Sequence, residues 1–256
     1  MNHRLLVAAT ASVIGLLLGG CSAASSAEPA PSAAEKGLTG QVTVFAAASL
    51  SPVFDEIAAA FTDEHPAVEV APIVYDGSSV LVTQLTEGAH ADVLATADER
   101  TMQSLVDTGL AEDPEPFATN TLVIATPAGN PAGITSLADL AGATTVLCAP
   151  EVPCGAASQE LLDRAGVSVS PASLEQNVSA VLQKVAAGEA DAGLVYATDV
   201  VGEDVEGFTP DGSDEVVNRY PIVALDGTTD AGRAFVEFVH GPIGRRLLAD
   251  HAFGAP

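Results

Sequence analysis

Beyond Gln41 the chain alternates short β-branched apolar runs with stretches whose apolar residues recur at helical spacing. Residues 42–46 read as a strand. Residues 53–63 read as a helix with Phe54, Ile57, Ala58 and Phe61 on one face. A strand over 68–75 leads into Asp76-Gly77-Ser78-Ser79, which turns into a helix over 80–87 stopped by Gly88. Residues 92–96 and 99–108 repeat strand and helix, closed by Gly109. Further strands are predicted at 121–126, 144–149, 192–196 and 220–225. Helices are predicted at 137–140, 155–164 (ending at Gly166), 178–187, 231–240 and 243–250. This alternation predicts an α/β fold, with parallel sheets covered by helices on both faces.

Ligands in such sheets bind beyond the carboxyl ends of the strands. Four predicted loops, at 47–49, 76–79, 153–155 and 176–178, each precede a helix. The first turn of a helix has N–H groups without intrahelical partners and a partial positive charge, so convergence of these loops would surround a small anion. The clearest case is Val42-Thr-Val-Phe-Ala-Ala-Ala-Ser49-Leu50-Ser51-Pro52, where an apolar strand ends in small residues. There Ser51 is expected to cap the next helix and Pro52 to fill its first turn. Taken singly, Ser49 and Ser78 read as ordinary caps, Val178 as a core valine, and Tyr196 as a buried aromatic whose hydroxyl is satisfied locally.

At 256 residues the chain suits one large domain or two lobes of about 100–150 residues each. Its start, Asn2-His3-Arg4, an apolar run over 5–18, then Leu18-Gly19-Gly20-Cys21, has the form of a secretory signal occupying residues 1–20. Leu-Gly-Gly-Cys resembles the lipobox of bacterial lipoproteins, which would make Cys21 the acylated mature N-terminus. The alternative is a transmembrane anchor, but the run is shorter than the ~20 residues a spanning helix needs. Residues 21–40, rich in Ala, Ser, Pro and Glu, read as a flexible tether.

The other two cysteines, Cys148 and Cys154, are close in sequence. Outside the cytoplasmic membrane they can form a disulfide; otherwise they are small buried residues that never bond. We expect the bridge, and no redox role, because C-x-x-C spacing is absent. The five histidines are scattered, with no pair at metal-ligand spacing, and no metal or cofactor is expected.

A formal charge of −25 argues against nucleic acid and anionic membrane surfaces as partners. Scarcity of cations is more informative. From Gln41 on, the Lys and Arg residues are Arg100, Arg164, Lys184, Arg219, Arg233, Arg245 and Arg246, none in the four loops. An anion bound there would be held by neutral dipoles.

Five segments in order carry a family resemblance: Phe45-Ala-Ala-Ala-Ser49-Leu50, Gly77-Ser78-Ser79, Ala91-Asp92-Val93 with Ala97-Asp98, Pro150-Glu-Val-Pro-Cys154-Gly155, and Gly193-Leu-Val-Tyr196. Together they resemble the molybdate-binding proteins of bacterial ABC importers. The resemblance implies a two-lobed type II periplasmic binding fold closing on a tetrahedral oxyanion. One lobe would hold residues 41–119 and 220–256, the other 120–219, with crossings at Asn120–Thr121 and Asn218–Arg219. It also implies that Ser49 and Ser78 each give a hydroxyl and an N–H, that Cys154 and Val178 give backbone N–H groups, and that Tyr196 gives its phenol. Cys154 departs from the alanine common in the family, which a backbone donor tolerates. The implied function is capture of molybdate, and of tungstate, for delivery to a membrane permease by a monomer tethered through Cys21 outside the cytoplasmic membrane.

Two other readings compete. The same fold could take sulfate or another small oxyanion; phosphate fits less well, because its proton calls for an acceptor. A surface serine hydrolase would need a base beside its nucleophile, and no Gly-x-Ser-x-Gly elbow or loop histidine is present. An enzyme is therefore not expected.

Overall fold

The structure, a computed structural model, describes residues 37–256. The proposed leader, Cys21 and nearly all of the proposed tether lie outside the described residues. In chain order the elements are β1 (Gly40–Val42), β2 (Val44–Ala47), α1 (Ser51–Glu64), β3 (Val68–Val70), β4 (Val74–Asp76), α2 (Ser78–Thr86), β5 (Val93–Ala95) and α3 (Glu99–Val106). Next come β6 (Glu115–Pro127), β7 (Thr145–Cys148), α4 (Pro153–Ala165), β8 (Ser173–Glu175), α5 (Val178–Ala186) and β9 (Ala192–Tyr196). The chain ends with β10 (Val205–Phe208), β11 (Val217–Ala224), α6 (Asp230–His240) and α7 (Pro242–Asp250).

Several predicted elements change in informative ways. The strand expected over 42–46 divides at Thr43. Its N–H donates to Asp92 Oδ2 at 2.8 Å and its carbonyl accepts from Asp92 N–H at 2.8 Å, so this residue is tied to the Asp92 turn. The strand expected over 68–75 divides at Pro72, which has no N–H for a ladder. As a result β1 and β3 pair in a small parallel sheet, while β2 and β4 belong to the large one. Gly40, placed in the tether by sequence, is already paired with Val68. Ser51 is not a cap but the first residue of α1. A 3-10 turn over Ala48–Leu50 delivers the chain into that helix with Leu50 at the cap position. The helix expected over 137–140 is a 3-10 turn, held by reciprocal bonds between Ser136 and Asp139. Strands β8 and β10 were not predicted, and β6 starts six residues earlier than expected.

The nine-stranded sheet runs β4-β2-β5-β11-β6-β9-β7-β8, with β10 added on β6. Its flanks are parallel, β2 with β4 and β5 on one side and β7 with β8 and β9 on the other. Its centre is antiparallel, because β11 pairs with both β5 and β6, and β6 with β9. Alternation of strand and helix therefore predicted the flanks and missed the middle. One strand, β6, serves both flanks: its part up to Thr121 pairs with β11, and Leu122 to Ala125 pair with β9. Asn120 lies opposite Asn218 in that register.

Helix α1 shows why the packing is specific. Val53, Phe54, Ile57 and Phe61 form its buried face. Phe61 meets Phe235 and Phe238 of α6 edge-on at 5.3 and 5.4 Å, and Phe54 meets Phe117 of β6 at 5.7 Å. Such aromatic contacts are worth about 0.5–1.5 kcal/mol beyond the area they bury. They anchor the carboxyl-terminal helices against the amino-terminal flank and fix β2, whose end begins the candidate site.

Candidate functional site

The four loops singled out from sequence meet at one cavity. Its wall includes Ala47, Ala48 and Ser49, then Asp76, Gly77 and Ser78, then Val152, Pro153 and Cys154, and finally Asn177, Val178 and Tyr196, with Ala97 beside them. The cavity is small, about 10 Å³, room on the scale of one water molecule. No Lys, Arg or His is part of this wall.

Each loop delivers its donors by a different local device. At α2 the cap position is Gly77, which has no side chain to satisfy the first-turn N–H groups. Gly77 is also required sterically, because a Cβ there would stand 2.0 Å from the carbonyl oxygen of Gln176. At α4 the cap is Val152, again without a side-chain bond, and Pro153 occupies the first turn, where a missing N–H costs nothing. Gly155 follows, packed so closely that a Cβ would lie 1.8 Å from Ala149 O. The structure bonds Cys148 to Cys154, which ties the end of β7 to the start of α4. At α5, Asn177 caps the helix by accepting from Ala180 N–H at 2.9 Å, which leaves Val178 N–H at the first helical position.

The side chains named from sequence are all brought to the cavity, and their hydrogen bonds differ. Ser78 Oγ does not cap its own helix; it accepts from Ala97 N–H at 3.0 Å. Ser49 Oγ lies 3.0 Å from Tyr220 Oη. Tyr196 is 1% exposed, and its hydroxyl has no hydrogen-bond partner among the described residues. Burial, and then the neighbouring Tyr220 and the Asp98 and Asp199 charges, push the Tyr196 phenol well above its ordinary range, so it stays protonated. A buried phenolic O–H without an acceptor is costly and calls for one in the cavity.

Two residues of the wall, Ala97 and Val152, lie outside the four predicted loops and had no assigned role. Asp76 lies in one of the predicted loops without an assigned role. In the structure its Oδ1 accepts from Gly77 N–H at 2.7 Å and from Asn177 Nδ2 at 2.9 Å, which draws the carboxylate into contacts across the cavity mouth. Ser79 Oγ donates to Glu151 O at 2.7 Å, and Arg100 reaches the same oxygen at 3.3 Å. The pairs of Glu151 with Arg100 and Ser79, and of Asp76 with Asn177, join residues 51 to 101 positions apart, a distance over which no local pattern reports.

A family model for bacterial extracellular solute-binding proteins matches residues 42–254. The molybdate-binding protein ModA of Mycobacterium bovis is 42% identical, with 96% of this chain and 97% of that protein covered. ModA of Escherichia coli is 30% identical over 84% of this chain and 89% of its own length. Among solved structures, the periplasmic molybdate-binding protein of Azotobacter vinelandii superposes with a TM-score of 0.72 at 19% identity, covering 84% of this chain and 99% of that one. The fold is thus that of the periplasmic solute-binding proteins, and among the described residues no helix is long and apolar enough to cross a membrane. The chain belongs to the bacterial extracellular solute-binding protein family, as a relative of the molybdate-binding protein ModA.

Proposed function

We propose that this protein captures molybdate, and tungstate with it, outside the cytoplasmic membrane and hands it to the permease of an ABC importer. The observation that carries this reading is the cavity wall itself: donors from four helix starts and an unpartnered phenol, no Lys, Arg or His, and a single carboxylate, Asp76, that is held by Gly77 N–H and Asn177. A fully deprotonated tetrahedral dianion offers acceptors only and matches such a wall. In this reading Ser49 and Ser78 each give a hydroxyl and an N–H, Cys154 and Val178 give N–H groups, and Tyr196 gives its hydroxyl. The name shared by the M. bovis and E. coli relatives points to the same ion. Catalysis by Ser49 or Ser78 has no support, since their partners are a phenol and a backbone amide rather than a histidine.

Opening and closing would turn on the two central strands, at Asn120–Thr121 and Asn218–Arg219, between a lobe of residues 41–119 and 220–256 and a lobe of residues 120–219. The pairing of Asn120 with Asn218 supports adjacent crossings. A lipid on Cys21 would hold the protein near its permease as a tethered monomer. Cys21→Ser should then yield protein without acyl label that leaves the membrane fraction or stays uncleaved; correctly processed, membrane-retained Cys21→Ser protein would remove the lipid from the picture.

Titration calorimetry of the purified protein with molybdate, tungstate, sulfate and phosphate tests the ligand. The expected ranking is molybdate and tungstate together, sulfate far behind, phosphate weakest. Packed walls cannot shrink onto a smaller ion, and each donor left without a good partner costs about 1–3 kcal/mol. Sulfate binding as tightly as molybdate would replace the molybdate assignment with a general oxyanion receptor.

A further inference from the structure

Strand β11 runs behind both serines, and its period of two decides which of its side chains reach them. Asn218 and Tyr220 are buried, whereas Val217 and Arg219 are exposed. Asn218 Nδ2 donates to Ala97 O at 2.9 Å, and Ala97 N–H donates to Ser78 Oγ at 3.0 Å. An amide N–H can only donate, so the Ser78 hydrogen is not used there and remains for the cavity.

Ser49 is in a different position. Its partner is the Tyr220 hydroxyl, which can donate or accept. Tyr220 is 0% exposed, and no other group meets hydrogen-bond geometry with its hydroxyl among the described residues. Its other polar neighbours are Asn120, whose Oδ1 accepts from Thr121 N–H and whose Nδ2 donates to Thr198, and the Tyr196 phenol, itself without a partner. If Ser49 donated to Tyr220, the phenolic hydrogen would face only the Tyr196 phenol, which lies outside hydrogen-bond geometry, and Ser49 would turn lone pairs toward a bound anion. If Tyr220 donates to Ser49, the Ser49 hydrogen points onward and every group is satisfied once an anion accepts it.

We infer that Tyr220 is a positioning residue, whose phenol donates to Ser49 and thereby makes Ser49 a donor to the bound oxyanion. This rests on the oxyanion reading of the cavity and adds a reason for its selectivity. With both serines held as donors, an anion that carries a proton finds no acceptor from either of them. Burial raises the Tyr220 phenol well above its ordinary range, which keeps the required hydrogen in place at any physiological pH.

The test is a double-mutant cycle on the full-length protein, read by calorimetry with molybdate. Tyr220→Phe keeps the ring contacts to Phe117, Tyr196 and Phe253 and removes only the hydroxyl. It should raise Kd about tenfold. Combined with Ser49→Ala it should add almost nothing, to within about twofold of Ser49→Ala alone, whereas with Ser78→Ala the two effects should multiply. A second readout separates positioning from damage to the fold. Tyr220→Phe frees Ser49 to present a lone pair, so phosphate affinity should rise relative to molybdate; a folding defect would weaken both alike. Multiplying effects of Tyr220→Phe and Ser49→Ala, or an unchanged phosphate-to-molybdate ratio, would overturn the inference and leave the oxyanion reading standing. Unchanged molybdate binding in both Ser49→Ala and Ser78→Ala would overturn that reading itself, and the inference with it.

Discussion

The two walls of the cavity solve the same problem with different materials. On the wall built from β2 and α2, Ser49 and Ser78 supply hydroxyls whose direction is set by other groups, Tyr220 and Ala97. On the wall built from α4 and α5, the candidate donors are backbone N–H groups fixed by a proline, a tight glycine, an asparagine cap and a disulfide. The first wall should be sensitive to side-chain chemistry and the second to backbone geometry. The identity of the side chain at a donor position carries information on one side of the cavity and little on the other.

The largest effect should come from breaking the backbone wall. In Gly155→Ala the new Cβ would meet Ala149 O at 1.8 Å, so the start of α4 must shift. We expect a stability loss of about 2–4 kcal/mol in urea unfolding and loss of measurable molybdate binding by calorimetry. Near-normal binding in a stable Gly155→Ala protein would show that α4 is not a fixed wall.

Next come the hydroxyls. Ser49→Ala and Ser78→Ala should each raise the molybdate Kd by about 10- to 150-fold, the worth of a hydrogen bond to a charged acceptor. Ser78→Ala should also lower the melting temperature, because Ala97 N–H loses its acceptor in a buried place. Loss of stability without loss of affinity would make Ser78 an internal brace only.

Replacing both Cys148 and Cys154 by serine should cost about 2 kcal/mol of stability, the value expected for closing a short loop. Molybdate affinity should fall in the same variant, since the bridge sits at Cys154, a proposed first-turn donor. Comparison of calorimetric Kd and urea midpoint in the double variant checks both; full affinity would mean that Pro153 and Gly155 hold the wall without it.

Behind Tyr196 lies a titrating group that tests how closed the region is. The Asp199 carboxyl accepts from Tyr196 N–H at 2.8 Å, and loss of water around it pushes its pKa from 3.8 up to about 7. The unfolded chain ionises this group near pH 4, so stability should fall as pH rises from about 4 to about 7 and level off above. Because Asp199 is only half-buried as a residue, the effect is discounted to about 2 kcal/mol. Asp199→Asn should flatten that part of the pH–stability curve and raise stability at pH 8; an unchanged curve would place water at the carboxyl.

The smallest effect sharpens the contrast most. Val178 is 3% exposed, and its assigned role uses only its N–H. Val178→Ala should therefore cost about 1–2 kcal/mol of stability through lost packing, yet leave the molybdate Kd within about twofold. A large loss of affinity by calorimetry would assign the side chain a direct part.

Much of this was legible in the chain. Apolar period and glycine stops located α1, α2, α4, α5, α6 and α7 to within a few residues, because amphipathic helices need only a local rule. The four helix starts were visible for the same reason: small residues, serine, proline and asparagine at strand ends are local signals. Val178 and Tyr196 were singled out only through their place in a family pattern, since a valine and a tyrosine carry no local mark of their own. Strands β8 and β10 escaped because three or four residues have too little alternation to register.

What the sequence by itself determined is the α/β alternation, the donors available at each helix start and the poverty of cations around them. The tertiary structure alone decided that β11 and β6 run antiparallel through the middle of the sheet and that the four starts meet at one cavity. It also decided the hydrogen-bond partners: Tyr220 lies 171 positions from Ser49, and Asn177 lies 101 from Asp76. Local propensity reaches across a few residues of chain, whereas a buried hydroxyl must find its partner in space. Only the packed fold determines which one it finds.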